Sequence, residues 1–135
     1  MKISAKAEYA CLAILALAGH PGEVPLRIRE IAQEQGIPER YLVQILLQLK
    51  GSGLVQSTRG ASGGYRLARP AAAISLGEVL SAIEGPGEPP REASGPAGRA
   101  LASIWDDLRD AERAVLNRMS IAQIAQRISP PEWVI

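Results

Sequence analysis

Residues 26–67 read LRIREIAQEQGIPERYLVQILLQLKGSGLVQSTRGASGGYRL. The first part is apolar-periodic through Ile28, Ile31 and Ala32 and stops at Gly36. Gly36-Ile37-Pro38 forms a three-residue break. A second periodic segment follows, with Leu42, Ile45, Leu46 and Leu49 at three- and four-residue spacing, so they share one stripe of a helix. Two short helices joined by a tight Gly-containing turn make a helix-turn-helix. Gly51-Ser52-Gly53 then breaks the second helix. Leu54–Ser57 and Tyr65–Leu67 have strand length, and the glycine-rich loop Arg59-Gly60-Ala61-Ser62-Gly63-Gly64 lies between them. Helix, turn, helix and hairpin, in that order, predict a mainly α winged helix-turn-helix with a small β-hairpin wing.

Outward from this segment, the chain reads as helices. Met1–Leu17 is expected to be one, with a stripe of Ile3, Ala7, Ala10, Ile14 and Leu17 and with Cys11, Leu15 and Ala18 beside it. So wide an apolar face predicts a helix covered on more than one side. Gly19-His20-Pro21-Gly22 ends it, and His20 is expected in a solvated turn with no role. After the wing, Arg69-Pro70 ends the strand. Ser75-Leu76-Gly77-Glu78 is a capping box that opens a helix through Val79, Leu80 and Ile83. Residues 85–98 hold four Gly and four Pro and are expected to lack regular structure. From Arg99 helix resumes. Leu101, Ile104, Leu108, Ala111 and Val115 alternate spacings of three and four, with Trp105 beside them. A seam of this kind needs a cover, and a second copy of the chain supplies one, so a homodimer is expected. Ser120-Ile121-Ala122-Gln123 repeats the capping-box pattern and opens a last short helix to about Arg127. Trp133, Val134 and Ile135 are an apolar tail expected to dock back or to cross to the partner. The expected organisation is therefore 1–84 as the winged domain, 85–98 as a flexible loop, 99–128 as the long dimerisation helix with the short final one, and 129–135 as tail.

Composition narrows the function classes. The chain has 135 residues, enough for one small domain, and is 47% hydrophobic with no Phe. The longest apolar run, Ala10–Ala18, is too short to span a bilayer and carries no cleavage signal, so the expected location is the cytoplasm and no membrane partner is expected. One cysteine, Cys11, excludes an internal disulfide. Beside an apolar stripe, with no Lys, Arg or His spaced to activate it, it reads as a buried inert thiol. Net charge is +1, unevenly spread: residues 1–69 hold nine Lys/Arg against five Glu, and residues 70–135 six Arg against nine acids. The basic half contains the helix-turn-helix, as expected where that half meets phosphates. No nucleophile–base–acid set, paired carboxylates or metal-ligand spacing is present, so neither an enzyme nor a metal or cofactor site is expected.

The expected surface for double-stranded DNA follows from these assignments. With Leu42, Ile45, Leu46 and Leu49 inward, Arg40, Gln44 and Leu47 face out, with Val43 and Gln48 on the flanks. Arg pairs bidentately with guanine and Gln with adenine, and the start of a recognition helix carries most base contacts. Leu47 either touches a thymine methyl or a sugar, or packs on the wing. Arg59 at the hairpin tip suits a narrow minor groove, where negative potential concentrates. Gly63 and Gly64 would let backbone N–H groups approach phosphate. A nucleotide-binding glycine loop does not fit, because those loops join a strand to a helix. The expected DNA-binding residues are Lys2, Pro38, Glu39, Arg40, Tyr41, Gln44, Gln48 and Lys50, and on the wing Arg59, Gly60, Ser62, Gly63, Gly64 and Tyr65. The expected dimer residues are Leu101, Ile104, Trp105, Leu108, Ala111 and Val115. Two alternatives stay open: a redox sensor using Cys11, and a winged helix that binds only protein.

The opening MKISAKAEYACLAILALA, the segment IREIAQEQGIPERYLVQILLQLKGSGLV, the wing RGASGGYRLARP, ISLGEVLSAIEG and IWDDLRDAERAVLNRMSIAQI resemble the Rrf-two family of dimeric winged-helix transcription regulators. The likeness spans most of the chain, excepting the Pro/Gly stretch and the tail. It implies a DNA-binding repressor acting on a pseudo-palindromic operator, a recognition helix from about Pro38, and Arg59 as the probe of the minor groove. It also implies a helix near 99–118 that crosses its equivalent in a twofold dimer. Cluster-binding members of that family carry three cysteines in the loop corresponding to Pro86–Gly98, and some take a carboxylate at the position of Glu8 from the other subunit. The loop here has no Cys and no His, so the resemblance implies a member without an iron–sulfur cluster. An effector, small molecule or partner protein, is compatible with the family pattern.

Overall fold

The computed structural model of the chain describes residues 2–20, 24–85 and 92–128. Its element order is α1 (Ala5–Ala18), α2 (Ile28–Gln35), α3 (Glu39–Gly51), β1 (Val55–Thr58), β2 (Gly64–Leu67), a 3₁₀ turn (Ala71–Ala73), α4 (Leu76–Glu84), α5 (Gly95–Arg118) and α6 (Ile121–Gln126). β1 and β2 pair antiparallel, with Val55 opposite Leu67 and Thr58 opposite Gly64.

The start of α1 differs from the expectation of a helix from Met1. Ser4 sets it: its hydroxyl accepts from the Ala7 N–H at 3.1 Å and donates to the Glu84 carboxylate at 3.0 Å. A serine cap fixes the first turn by taking one of its orphan donors. Ile3 therefore precedes the helix and is exposed. The rest of the expected stripe holds. Ala7, Ala10, Ala13, Ile14, Ala16 and Leu17 are buried, while Cys11, Leu15 and Ala18 are half-buried. So many small side chains let four helices close on α1: it packs against α2, α3, α4 and α6.

The helix-turn-helix forms as its apolar spacing dictates. Gly36 closes α2 at φ +68, the left-handed conformation that glycine adopts without penalty. Ile37 is buried beneath the turn, and Pro38 caps α3, whose first turn tolerates a residue without an N–H. Leu42, Ile45, Leu46 and Leu49 are all fully buried. One core joins them to Ile14, Ile31, Leu54, Ile74, Val79 and Ile121.

Beyond the wing, the Ser75 and Ser120 capping boxes are both formed, with Glu78 and Gln123 returning to the cap N–H groups at 3.1 and 2.9 Å. The expectation of irregular chain through Gly98 is corrected at its end, where α5 starts at Gly95. Pro96 falls in its first turn, where the missing N–H costs nothing. Residues 86–91 and the tail 129–135, with its expected docking, lie outside the described residues. At its far end the long helix returns to the body. Leu76 N–H donates to the Met119 carbonyl and Ile121 N–H to the Ile74 carbonyl, both at 2.8 Å. These bonds seat α6 on α1 and the 3₁₀ turn, with Ile121 fully buried.

Candidate nucleic-acid interface

α3 turns its unburied face to solvent. Pro38, Glu39, Arg40, Tyr41, Gln44 and Lys50 are exposed among the described residues. Leu47 is 56% exposed, so it does not pack on the wing; it stands on the same face as Arg40 and Gln44. Gln48 is half-buried, and its Oε1 is buried without a hydrogen-bond partner among the described residues. Glu39 lies 3.9 Å from the guanidinium of Arg29, one helix earlier, which offsets its negative charge on the face expected to meet phosphate. Lys2 is exposed ahead of α1.

The wing keeps Arg59, Gly60 and Ser62 exposed at its tip. Its base is more constrained than a free hairpin. Leu26 and Tyr65 exchange backbone bonds, Leu26 N–H to Tyr65 carbonyl at 2.8 Å and Tyr65 N–H to Leu26 carbonyl at 2.7 Å. Leu26 thus adds a one-residue third strand beside β2. Gly64 makes this possible. It has φ +151, and a Cβ there would sit 2.3 Å from the Leu26 carbonyl oxygen. Gly63 is buried, its N–H donates to the Gly60 carbonyl at 2.9 Å, and a Cβ would sit 2.2 Å from the Thr58 carbonyl oxygen. The Gly63 amide is therefore spent on closing the turn, and both glycines serve close backbone packing. Tyr65 is half-buried against the core, so the wing rests on it.

Three contacts at this surface escape a reading by periodicity. The Arg27 guanidinium donates to the Ala61 carbonyl near the wing tip, and the Arg27 N–H donates to Glu30 Oε1 at 3.2 Å. Arg27 thus ties the wing to the start of α2. Tyr9 of α1 stacks on Tyr41, with ring centroids 6.5 Å apart. His20, expected in a solvated turn without a role, has Nε2 3.2 Å from Glu34 Oε1 and so links the end of α1 to α2. An alternating or helical pattern carries no signal for the Arg27–Ala61, Tyr9–Tyr41 and His20–Glu34 contacts, because each joins residues far apart in sequence.

α5 is bare along one side. Leu101, Ile104, Trp105, Leu108 and Val115 are about half exposed, and Ala111 is exposed with them. The helix has no fully buried residue. Charged residues flank this apolar line, among them Arg109, which donates to Asp106 one turn back.

Cys11 is half-buried, and its thiol is pushed up to about 11, first by burial and then by the nearby Glu8 and Glu84 carboxylates. A thiol so far above neutrality holds almost no thiolate, the form that reacts or binds metal. Burial and the two carboxylates disfavour the thiolate that thiol-based sensing would need. Among the described residues no helix is long and apolar enough to cross a membrane.

Comparison with known proteins agrees with this architecture. Residues 3–127 match the family model Rrf2, described as iron-dependent transcriptional regulator. The HTH-type transcriptional regulator CymR of Bacillus subtilis is 39% identical over 127 residues, covering 93% of this chain and 90% of that protein. The HTH-type transcriptional regulator IscR of Yersinia pestis is 33% identical over 129 residues, covering 92% and 79%. Among solved structures, CymR, the global cysteine regulator of B. subtilis, superposes with a TM-score of 0.84 at 36% identity, covering 96% of this chain and 99% of that one. IscR of T. potens gives 0.82 at 32% identity, covering 100% and 92%. The iron in the family description finds no ligand set among the described residues. Among the described residues no three His, Cys, Asp or Glu side chains converge, the one thiol in the sequence is held protonated, and the one histidine is engaged with Glu34. An iron–sulfur cluster needs several thiolate or imidazole ligands at one place, and the described residues bring no such set together. With a helix-turn-helix, a pinned wing and a family match over nearly its whole length, this chain belongs to the Rrf2 family of DNA-binding transcription regulators.

Proposed function

We propose that two copies of this chain pair through the bare side of α5 and bind a pseudo-palindromic operator, repressing transcription by occluding the promoter. The observation that carries this reading is the face of α3: Arg40, Tyr41 and Gln44 stand in solvent on a helix whose opposite stripe is fully buried. A helix held rigidly by one face and chemically equipped on the other is what entry into the major groove requires.

In this reading residues 1–84 carry the DNA contacts. Arg40 reads guanine and Gln44 adenine; Pro38, Glu39 and Tyr41 shape the entering turn, and Leu47 meets a thymine methyl or a sugar. Lys2, Lys50, Gln48 and the exposed backbone at Gly60 and Ser62 position the subunit on phosphates, while Gly63, Gly64 and Tyr65 hold the wing that carries Arg59 into the minor groove. The line from Leu101 to Val115, on residues 99–118, is covered by the same line of the second copy. Half-exposed Leu, Ile and Trp side chains in one row make an apolar patch of the kind that marks an interface. Twofold symmetry then places two recognition helices about one helical turn of DNA apart, or a small multiple of it.

Selection of bound fragments from a random duplex pool tests the proposal. Enrichment of an inverted repeat, with affinity falling steeply as salt rises, is the expected result, because each neutralised phosphate releases counterion. No salt-sensitive binding to any duplex, or a selected pool without inverted symmetry, overturns it. Absence of duplex binding would leave a winged helix that binds protein alone.

A further inference from the structure

Arg40 does not stand free on the recognition helix. Its Cζ lies 4.9 Å from the centroid of the Tyr41 ring, and its Nη2 donates to the Tyr41 hydroxyl at 3.3 Å. Tyr41 stacks in turn on Tyr9, with centroids 6.5 Å apart and planes 20° from parallel. Tyr9 belongs to α1 and packs, half-buried, against the core. A pile therefore runs outward from the core through two rings to a guanidinium.

The pile matters because of what arginine lacks. A surface Arg has many rotamers, and ordering it on a base opposes binding. A guanidinium laid on an aromatic face keeps the donors on its rim available, since stacking uses the plane and hydrogen bonding uses the edge. One Nη2 bond is spent on Tyr41, and the fork keeps further N–H donors for an acceptor beside it. The adjacent position of Tyr41 on the same helix, and the buttress from a second helix, make this shelf part of the scaffold.

We propose that Tyr9 and Tyr41 are positioning residues for base recognition: the two-ring pile orients the Arg40 guanidinium before DNA arrives and so sets how strictly one base pair is read. This rests on, and deepens, the reading of Arg40 as a base contact. Tyr9 carries no charge toward phosphate, so its contribution appears in discrimination between sequences and leaves the salt dependence alone.

The test uses the full chain and duplexes selected from a pool with a randomised core. Arg40→Ala first identifies the base pair whose preference it erases. Binding is then compared between the selected duplex and one altered at that pair. Tyr9→Leu, which removes the support of the Tyr41 ring, should reduce discrimination at that pair by up to about two- to five-fold, the full range of an exposed cation–π contact such as that of Arg40 on Tyr41, with an unchanged salt slope. Tyr9→Phe, which keeps the ring, should retain it. In an Arg40→Ala background Tyr9→Leu should cost nothing further. A folded Tyr9→Leu protein with undiminished discrimination, or an equal loss with and without Arg40, overturns the proposal. If Tyr9→Leu does not fold, Tyr41→Leu and the Arg40 Nε–H resonance replace it. The resonance should move when either ring is lost, and a resonance unmoved by Tyr41→Leu also overturns the proposal. Arg40→Ala with wild-type sequence preference removes the base-reading role itself, and does so before either tyrosine is touched.

Discussion

Ile121→Ala tests whether the last helix is structural. Ile121 lies beyond the long α5, yet it is fully buried in the same core as Leu42, Ile45 and Leu49. Truncating a buried isoleucine to alanine costs about 2–5 kcal/mol, with the spread set by how far the walls collapse into the void. Collapse is resisted here. Two backbone bonds of 2.8 Å clamp the segment on either side of Ser120, and Ser120 exchanges hydrogen bonds with Gln123. The cost should thus lie in the upper half of that range, about 3.5–5 kcal/mol, against a total stability of about 5–15 kcal/mol. With a urea slope of about 1–3 kcal/mol per molar, the midpoint should fall by about 2 M; the melting temperature should fall by about 12 °C for a chain of this size. Urea titration followed by far-UV circular dichroism, at one fixed protein concentration because association adds stability, reads the shift. Ile121→Val, losing one methylene, should cost about 1 kcal/mol. A midpoint within about 0.5 M of the parent for the alanine variant would show that α6 is an appendage, and would refute the reasoning.

Other perturbations separate the remaining parts. Ile104→Glu with Leu108→Glu places charge in the exposed line of α5, so the protein should sediment as a monomer and bind the selected operator far more weakly; an unchanged dimer means the partner sits elsewhere. Arg59→Ala should lower affinity about ten-fold or more, since an unmade charge-assisted bond costs about 1.5–3 kcal/mol, and should weaken any preference for A/T-rich minor groove. Unchanged affinity and preference would remove the wing from the account. Gly64→Ala forces a side chain into φ +151 and against the Leu26 carbonyl, so operator binding should fall with the helices intact by circular dichroism; full binding contradicts the pinned wing. Cys11 holds its proton up to about 11 in the fold against 9.0 for the ordinary thiol. The folded state therefore binds that proton more tightly. Its contribution to stability is complete below pH 9 and is lost as pH rises from 9 toward 11. Labelling of the native protein by a thiol reagent at pH 8 should be slow, and fast labelling would show an activated thiol.

Much of this architecture was legible from short-range pattern. The stripe Leu42, Ile45, Leu46, Leu49 identified the buried face of α3 because a helix repeats its geometry every turn, and the same stripe fixed by difference which residues face out. The serines at 75 and 120 announced two helix starts because a cap and its glutamate or glutamine lie within four residues. The start of α5 was misread because Gly95 and Pro96 look like breakers in composition, whereas a first helical turn needs no N–H from proline. What stayed hidden joins distant segments. The Leu26–Tyr65 bridge is one residue long on one side, so it has no period. Tyr9 under Tyr41, and Arg27 at the wing tip, are contacts between elements whose relative placement only packing decides.

The bridge at Leu26 has a mechanical consequence. The hairpin is sewn to the residues just ahead of α2, and α2 is locked through the turn to α3. α3 and the wing must consequently travel as a single yoke, so in the proposed complex no joint lies between the major-groove and minor-groove contacts of one copy to absorb a mismatch in groove width. Adjustment falls to the duplex. Sequences that twist and narrow with little effort at base pairs the protein never touches should be favoured, and stiff ones penalised, even where every contacted base is right.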